Sequence, residues 1–220
     1  MEAFAGGLFQ IQEKSTRNLM PETMSLLRYR PDFFEGLKEV SLPFSPEALA
    51  GLAAGELVGL NGTIYTGRDQ THRRLCALLD EGRELPLDLA GQLLYYVGPS
   101  PARPGRVIGA AGPTTSYRMD LYTPRLLSLG LKATMGKGAR SQEVRQAMLE
   151  TGAVYLATIG GAGALLSKCV KKSELVAFAD AGPEALFRFE VESFPAVVIN
   201  DLAGRDYYEM VAAEKQKGEG

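Results

Sequence analysis

Short β-type runs, each closed by a glycine-rich polar turn and most separated by a helical stretch, confine this chain to a layered α/β fold. Residues 57–65 read as a strand, or as a tight pair of strands broken at glycine, and 93–97, 106–110, 131–134 and 154–158 read as further strands. Helices are expected between them. Ser45 and Pro46 open one that Gly55 ends, and Asp69 caps a second that runs through His72, Leu75 and Leu79 to Gly82. Residues 121–129 form a third, stopped by Gly130. Ser141 caps a fourth that ends at Gly152, and a small-residue helix reaches Lys168. The C-terminal third is dense in strands, at 174–179, 186–191 and 195–200. That density predicts a mixed sheet with flanking helices rather than a simple doubly wound one.

Length and composition bound the rest. The 220 residues suit one large domain with an accessory segment. Residues 1–40, with Met20-Pro21 and Arg30-Pro31, are expected to form an N-terminal extension with one or two short helices. Residues 41–210 are expected to form the main domain, and 211–220 a flexible tail. Hydrophobic residues make up 45% of the chain, enough for a real core. A net charge of -2 offers no basic excess for a nucleic-acid backbone. Two separated cysteines, Cys76 and Cys169, and a single histidine, His72, give no metal or cluster signature. No run of 18 apolar residues predicts a membrane span, and the N-terminus lacks the basic start of a signal peptide, so the cytoplasm is the expected location.

Three loops share one chemistry. Thr66-Gly67-Arg68-Asp69 lies at a strand-to-helix junction, where the planar fork of Arg68 and the helix N-terminus both favour an anion. The plain alternative is a surface arginine beside an ordinary aspartate cap. Gly112-Pro113-Thr114-Thr115-Ser116-Tyr117-Arg118-Met119-Asp120 packs three hydroxyls, an arginine and a carboxylate behind an apolar run. The hydroxyls can donate to oxyanions, Arg118 can clamp a carboxylate, and Asp120 either caps the next helix or pins Arg118. Lys137, between Gly136 and Gly138, can place an ammonium over an anion, or can be a mobile surface lysine. The glycine-rich stretch at 159–163 does not have dinucleotide-loop spacing; Gly160 and Gly161 read as close-packing, structural positions. Together the loops suit a small dicarboxylate. They hold no acid–base carboxylate pair, so the hard chemistry is expected on a cofactor or another chain.

Gly62-Thr-Ile-Tyr-Thr-Gly-Arg-Asp69 with His72, the Gly112–Asp120 stretch with Tyr122-Thr-Pro124, Gly136-Lys-Gly138 and the 159–164 loop resemble the beta subunit, or C-terminal domain, of class I iron–sulfur fumarate hydratases and tartrate dehydratases. The resemblance runs from about residue 57 to 206. It implies a swivelling β/β/α domain that closes over substrate. It implies that Arg68 and Arg118 bind substrate carboxylates, that Lys137 adds positive charge, and that Thr114 is the proposed base. It raises His72 and Thr115 as further substrate contacts and leaves Asp69, Asp120, Gly160 and Gly161 in supporting roles. It also implies a [4Fe–4S] cluster held by an alpha subunit and not by this chain, in a heteromer such as alpha2beta2. The expected reaction interconverts malate with fumarate and water. Tartrate is the alternative substrate, and a non-catalytic dicarboxylate-binding domain is the alternative of a different class.

Overall fold

The computed structural model describes residues 36–158 and 161–218. The helices expected before residue 36 lie outside these. Among the described residues, seven strands form one mixed sheet: β1 (Lys38–Ser41), β2 (Leu57–Thr66), β3 (Leu93–Tyr95), β4 (Ala133–Gly136), β5 (Val154–Ala157), β6 (Val170–Ala177) and β7 (Leu186–Asn200). The α-helices described with them are α1 (Pro46–Ala50), α2 (Asp69–Asp80), α3 (Thr123–Ser128), α4 (Gln142–Thr151), α5 (Gly163–Cys169) and α6 (Tyr207–Gly218). Single 3-10 segments occupy Ser116–Met119 and Ala179–Glu184.

The spine is the antiparallel ribbon of the two long strands, β2 and β7, paired from Leu57↔Val197 to Thr66↔Phe187 with a bulge between Leu60 and Gly62. Strands β1 to β5 are mutually parallel in the order 1-2-3-4-5, and β5 returns to β7 antiparallel. Strands β2, β3, β4, β5 and β7 therefore form a closed circuit of hydrogen-bonded neighbours, which leaves little of the sheet with a free edge. Every residue of β3, β4 and β5 is buried. Burial on both faces is why these strands read as continuous apolar runs rather than alternating ones.

Alternation still sorts the two cores. Leu93, Tyr95 and Leu156 face one cluster with Leu60, Ile64, Phe189 and Phe194. Leu94, Tyr96 and Tyr155 face another, with Leu75, Met119, Leu126 and Met148 from α2, α3, α4 and the intervening 3-10 turn. This second layer matters for the site, because its tyrosine hydroxyls reach into the space between sheet and helices.

Several sequence expectations change at their ends. Residues 106–110 are not a strand. Gly109 and Ala110 donate their N–H groups to Ser100, to its carbonyl and its hydroxyl, so the loop folds on itself instead of joining the sheet. Residues 186–191 and 195–200 are one strand, since Pro195 pairs with Gly59 on β2 without ending the ladder. The sheet already includes Lys38, before the boundary drawn after residue 40. Helix α6 runs through 211–218 of the segment read as a tail, because Asp206 Oδ1 accepts the N–H of Tyr208 at 2.9 Å and opens it. The caps at Ser45 and Ser141 and the left-handed stop at Gly152 stand where they were expected. No helix among the described residues is long and apolar enough to cross a membrane.

Gly62 shows how tightly the bulge is built. Its φ is +116°, and a Cβ there would lie 2.5 Å from the carbonyl oxygen of Leu42. Both the backbone conformation and the contact reject a side chain. Gly62→Ala is expected to lower stability by about 2 kcal/mol or more, read as a drop in the urea midpoint at unchanged slope.

Candidate functional site

Parallel strands place their carboxyl ends at one edge, and two of the predicted site residues, Arg68 and Lys137, follow such ends. Arg68 follows β2, Gly98 follows β3, Lys137 follows β4 and Thr158 follows β5. The Thr114 segment lies across this edge as a short added strand. Thr114 donates its N–H to the carbonyl of Tyr96 at 2.7 Å. Lys137 donates its N–H to Thr114 at 3.2 Å, and Ser116 donates its own to Lys137 at 2.9 Å. Thr115 and Lys137 thus form a parallel bridge. Two of the three loops singled out in the sequence are joined by backbone, and Thr114, Thr115 and Lys137 are all half-buried there.

The loops pack this closely because of glycine. A Cβ on Gly136 would collide with the Ser116 hydroxyl and stand 3.0 Å from the Thr114 carbonyl. A Cβ on Gly163 would stand 2.9 Å from the backbone nitrogen of Gly112. The close-packing role expected of Gly161 falls instead on Gly163. Gly161 has open space where a Cβ would be, and Gly160 lies outside the described residues.

The third loop is tied in by charge. Arg118 Nη2 lies 2.8 Å from Asp69 Oδ2, at the first residue of α2. Asp69 is therefore not the helix cap. The cap position is Arg68, which makes no side-chain capping bond; Glu184 Oε2 instead accepts the N–H of Gln70 at 3.2 Å. Nor does Asp120 pin Arg118. Its two oxygens accept from Arg140 Nε and from the Ser141 N–H, each at 2.8 Å. The carboxylates have exchanged the partners that sequence proximity suggested.

Arg140 carried no signal in the sequence, yet it is the most connected side chain behind the site. Its guanidinium is fully buried and also donates to the Tyr96 hydroxyl at 3.1 Å and to Thr134 and Thr123 at 2.8 Å. It stacks 5.3 Å from the Tyr96 ring and 5.1 Å from the Tyr155 ring. The Tyr155 hydroxyl in turn meets Ser116 Oγ at 2.8 Å. The hydroxyl-rich segment is thus fastened from below through Asp120 at one end and Ser116 at the other.

His72 is completely buried between α2 and Tyr96, whose ring centroid is 5.2 Å away. It packs beneath the site, and the enclosed ring presents no open face to a ligand in this arrangement. Nδ1 lies 2.8 Å from the Arg68 carbonyl, so Nδ1 carries the proton and donates it. Burial lowers its pKa from 6.5 to about 4, with the nearby Arg140 charge acting in the same direction. His72 is therefore a neutral brace for the Arg68 junction at ordinary pH.

The cysteines do not suit a cluster. Cys76 is on α2 and Cys169 ends α5, and burial pushes both thiols up. Among the described residues, no group of three His, Cys, Asp or Glu could hold a metal ion. The residues described here do not fit a [4Fe–4S] site.

Residues 10–211 match the family described as Fumarase C-terminus. The chain is 41% identical to the anaerobic class I fumarate hydratase of Escherichia coli over 156 residues, 70% of this chain but 28% of the relative. It is 37% identical to fumarate hydratase 2 of Leishmania major over 169 residues, 76% of this chain and 30% of that one. A Methanocaldococcus jannaschii chain provisionally named L(+)-tartrate dehydratase subunit beta is 37% identical over 166 residues, which cover 73% of this chain and 85% of the relative. The chain therefore spans under a third of the fumarate hydratases it matches, but most of the tartrate dehydratase subunit.

Two outcomes follow from the buried groups. Arg140→Met leaves Asp120 without its buried partner and is expected to cost about 3–5 kcal/mol in chemical denaturation. The unfolded chain protonates His72 near 6.5 and the folded chain only near 4. Stability is therefore lost as pH falls through that window, by about 3 kcal/mol in total. His72→Asn, which keeps a donor for the Arg68 carbonyl, should remove one proton's worth of that slope in urea titrations between pH 4 and 7.

Proposed function

The chain belongs to the fumarase C-terminal family, and on that premise we propose that it supplies the carboxylate-binding side of a hydro-lyase site shared with a second, alpha-type chain. The favoured reaction is the interconversion of (S)-malate with fumarate and water. The observation that carries this reading is the gathering of the loops that bear Arg68, Arg118, Lys137, Thr114 and Thr115 at one strand edge, held there by backbone bonds and ion pairs.

Arg68 and Arg118 each offer a planar fork to one carboxylate of a four-carbon diacid. Lys137, half-buried and without a carboxylate within 4.0 Å among the described residues, adds charge where the carboxylate gains it on loss of the α-proton. Thr114 is the proposed base, with Thr115 beside it as a donor. A threonine hydroxyl is a poor base unaided. Its side chain has no hydrogen-bond partner among the described residues, so on this reading activation comes from the partner chain or the bound substrate. The [4Fe–4S] cluster is assigned to the alpha-type chain, where it would polarise the substrate hydroxyl. The assembly is proposed as a heteromer such as alpha2beta2, working in the cytoplasm.

Tartrate remains the second reading, favoured by the similarity to the Methanocaldococcus chain over most of its length. The two differ by a hydroxyl group, a difference that pocket shape decides. The test is anaerobic co-expression with the alpha-type chain, followed by assays of malate, fumarate and both tartrate enantiomers with each chain alone and with the mixture. Turnover is expected only in the mixture. Arg118→Ala should lower kcat/KM by about 100-fold or more. Activity from this chain alone would overturn the shared site.

A further inference from the structure

Arg68 is mostly enclosed, and its surroundings come from a part of the chain more than a hundred residues away. Antiparallel pairing of Thr66 with Phe187 brings the start of β7 to the end of β2. The segment just before β7, Ala179–Glu184, therefore lies against the turn that opens α2. Glu184 contacts three residues of that turn. Its Oε1 lies 3.4 Å from Arg68 Nη2, its Oε2 accepts the Gln70 N–H at 3.2 Å, and its carbonyl accepts the Thr71 hydroxyl. A bidentate pair between Arg74 and Asp180, at 2.7 and 2.6 Å, clamps the same segment further along α2.

The guanidinium lies in a slot. Its floor is Gly98, where a Cβ would stand 3.0 Å from Nη1 and 3.2 Å from Cδ of Arg68; the carbonyl of Pro183 is 3.2 Å from the same point. Only 24% of the Arg68 side chain and 22% of the Glu184 side chain are exposed. Among the described residues Glu184 is the one carboxylate paired with Arg68, and Arg68 Nε is buried without a hydrogen-bond partner. A flexible three-carbon arm has thus been fixed on one side by Glu184, on another by Gly98, and at its backbone by His72.

We propose that Glu184 is the positioning residue of Arg68: it holds the guanidinium against Gly98 with one edge of its fork turned to a diacid. The inference rests on the reading of Arg68 as a carboxylate binder. Preorganising a long side chain removes ordering entropy that substrate binding would otherwise bear. Glu184 therefore acts on binding of the diacid more than on the chemical step.

The test uses the assembled two-chain enzyme. Glu184→Gln keeps an acceptor for the Gln70 N–H but removes the charge that orients Arg68. It is expected to raise KM for the diacid about tenfold, with kcat changed by less than about threefold and Tm nearly unchanged. In an Arg68→Lys background the same substitution should raise KM by less than about twofold, because the two side chains act as one unit. Glu184→Asp, which restores charge on a shorter arm, should recover part of the loss. Equal KM increases in both backgrounds, or a fall in KM in Glu184→Gln, would overturn the assignment. If Arg68→Ala leaves kcat/KM unchanged, the carboxylate-binding reading of Arg68 itself is wrong, whatever Glu184 does.

Discussion

A buried cation must be surrounded by acceptors, and the position of Arg140 organises this whole side of the molecule around that requirement. Its donors are met by Asp120 from the hydroxyl-rich segment, Thr123 from α3, Thr134 from β4 and the Tyr96 hydroxyl beyond β3. Four separate pieces of chain are thereby held at fixed distances. Burial disfavours the charged guanidinium, but its interactions with Tyr96, Asp120 and Tyr155 more than offset that and raise its pKa. The same charge lies close enough to His72 to help keep that ring neutral. The geometry of the strand-edge loops is therefore set from beneath, by a side chain that no ligand need touch.

Above this layer the two arginines are balanced by carboxylates of the chain itself. Each of the two arginines assigned to substrate is paired with a carboxylate of the chain, Arg118 with Asp69 and Arg68 with Glu184. Both carboxylates cluster at the opening of α2, where the helix dipole also favours negative charge. The arrangement keeps two long cationic side chains ordered in the absence of substrate. Lys137, by contrast, is held through its backbone, and its charge is left to whatever enters the site.

The fold gives up some stability here. Arg68 Nε and His72 Nε2, within one helical turn, are buried without a hydrogen-bond partner among the described residues, and Asp69 Oδ2 between them is met by the ion pair with Arg118. Among the other buried polar groups, Thr158 and Tyr95 bond to backbone carbonyls, while Gln92, Arg188 and Asn200 each keep one buried atom without a hydrogen bond. Concentrated unsatisfied groups are expected where a fold serves binding rather than its own stability.

Local features of the sequence determined what depends on neighbours in the chain. The serine caps at Ser45 and Ser141, the stop at Gly152 and the buried runs of β3 and β5 follow from capping chemistry and apolar patterning alone. The dense Gly112–Asp120 stretch and the cations Arg68, Arg118 and Lys137 stood out in the sequence as a candidate anion-binding set because their residue types are unusual side by side. Their pairing was not legible. Asp69 lies next to Arg68 in sequence but meets Arg118, Asp120 lies two residues from Arg118 but meets Arg140, and Arg68 meets Glu184 from the far end of the chain. Sequence distance governs capping and turns, where the backbone itself brings groups together. Ion pairs between side chains are decided by which strands lie side by side, and that was settled only when β2 paired with both β3 and β7.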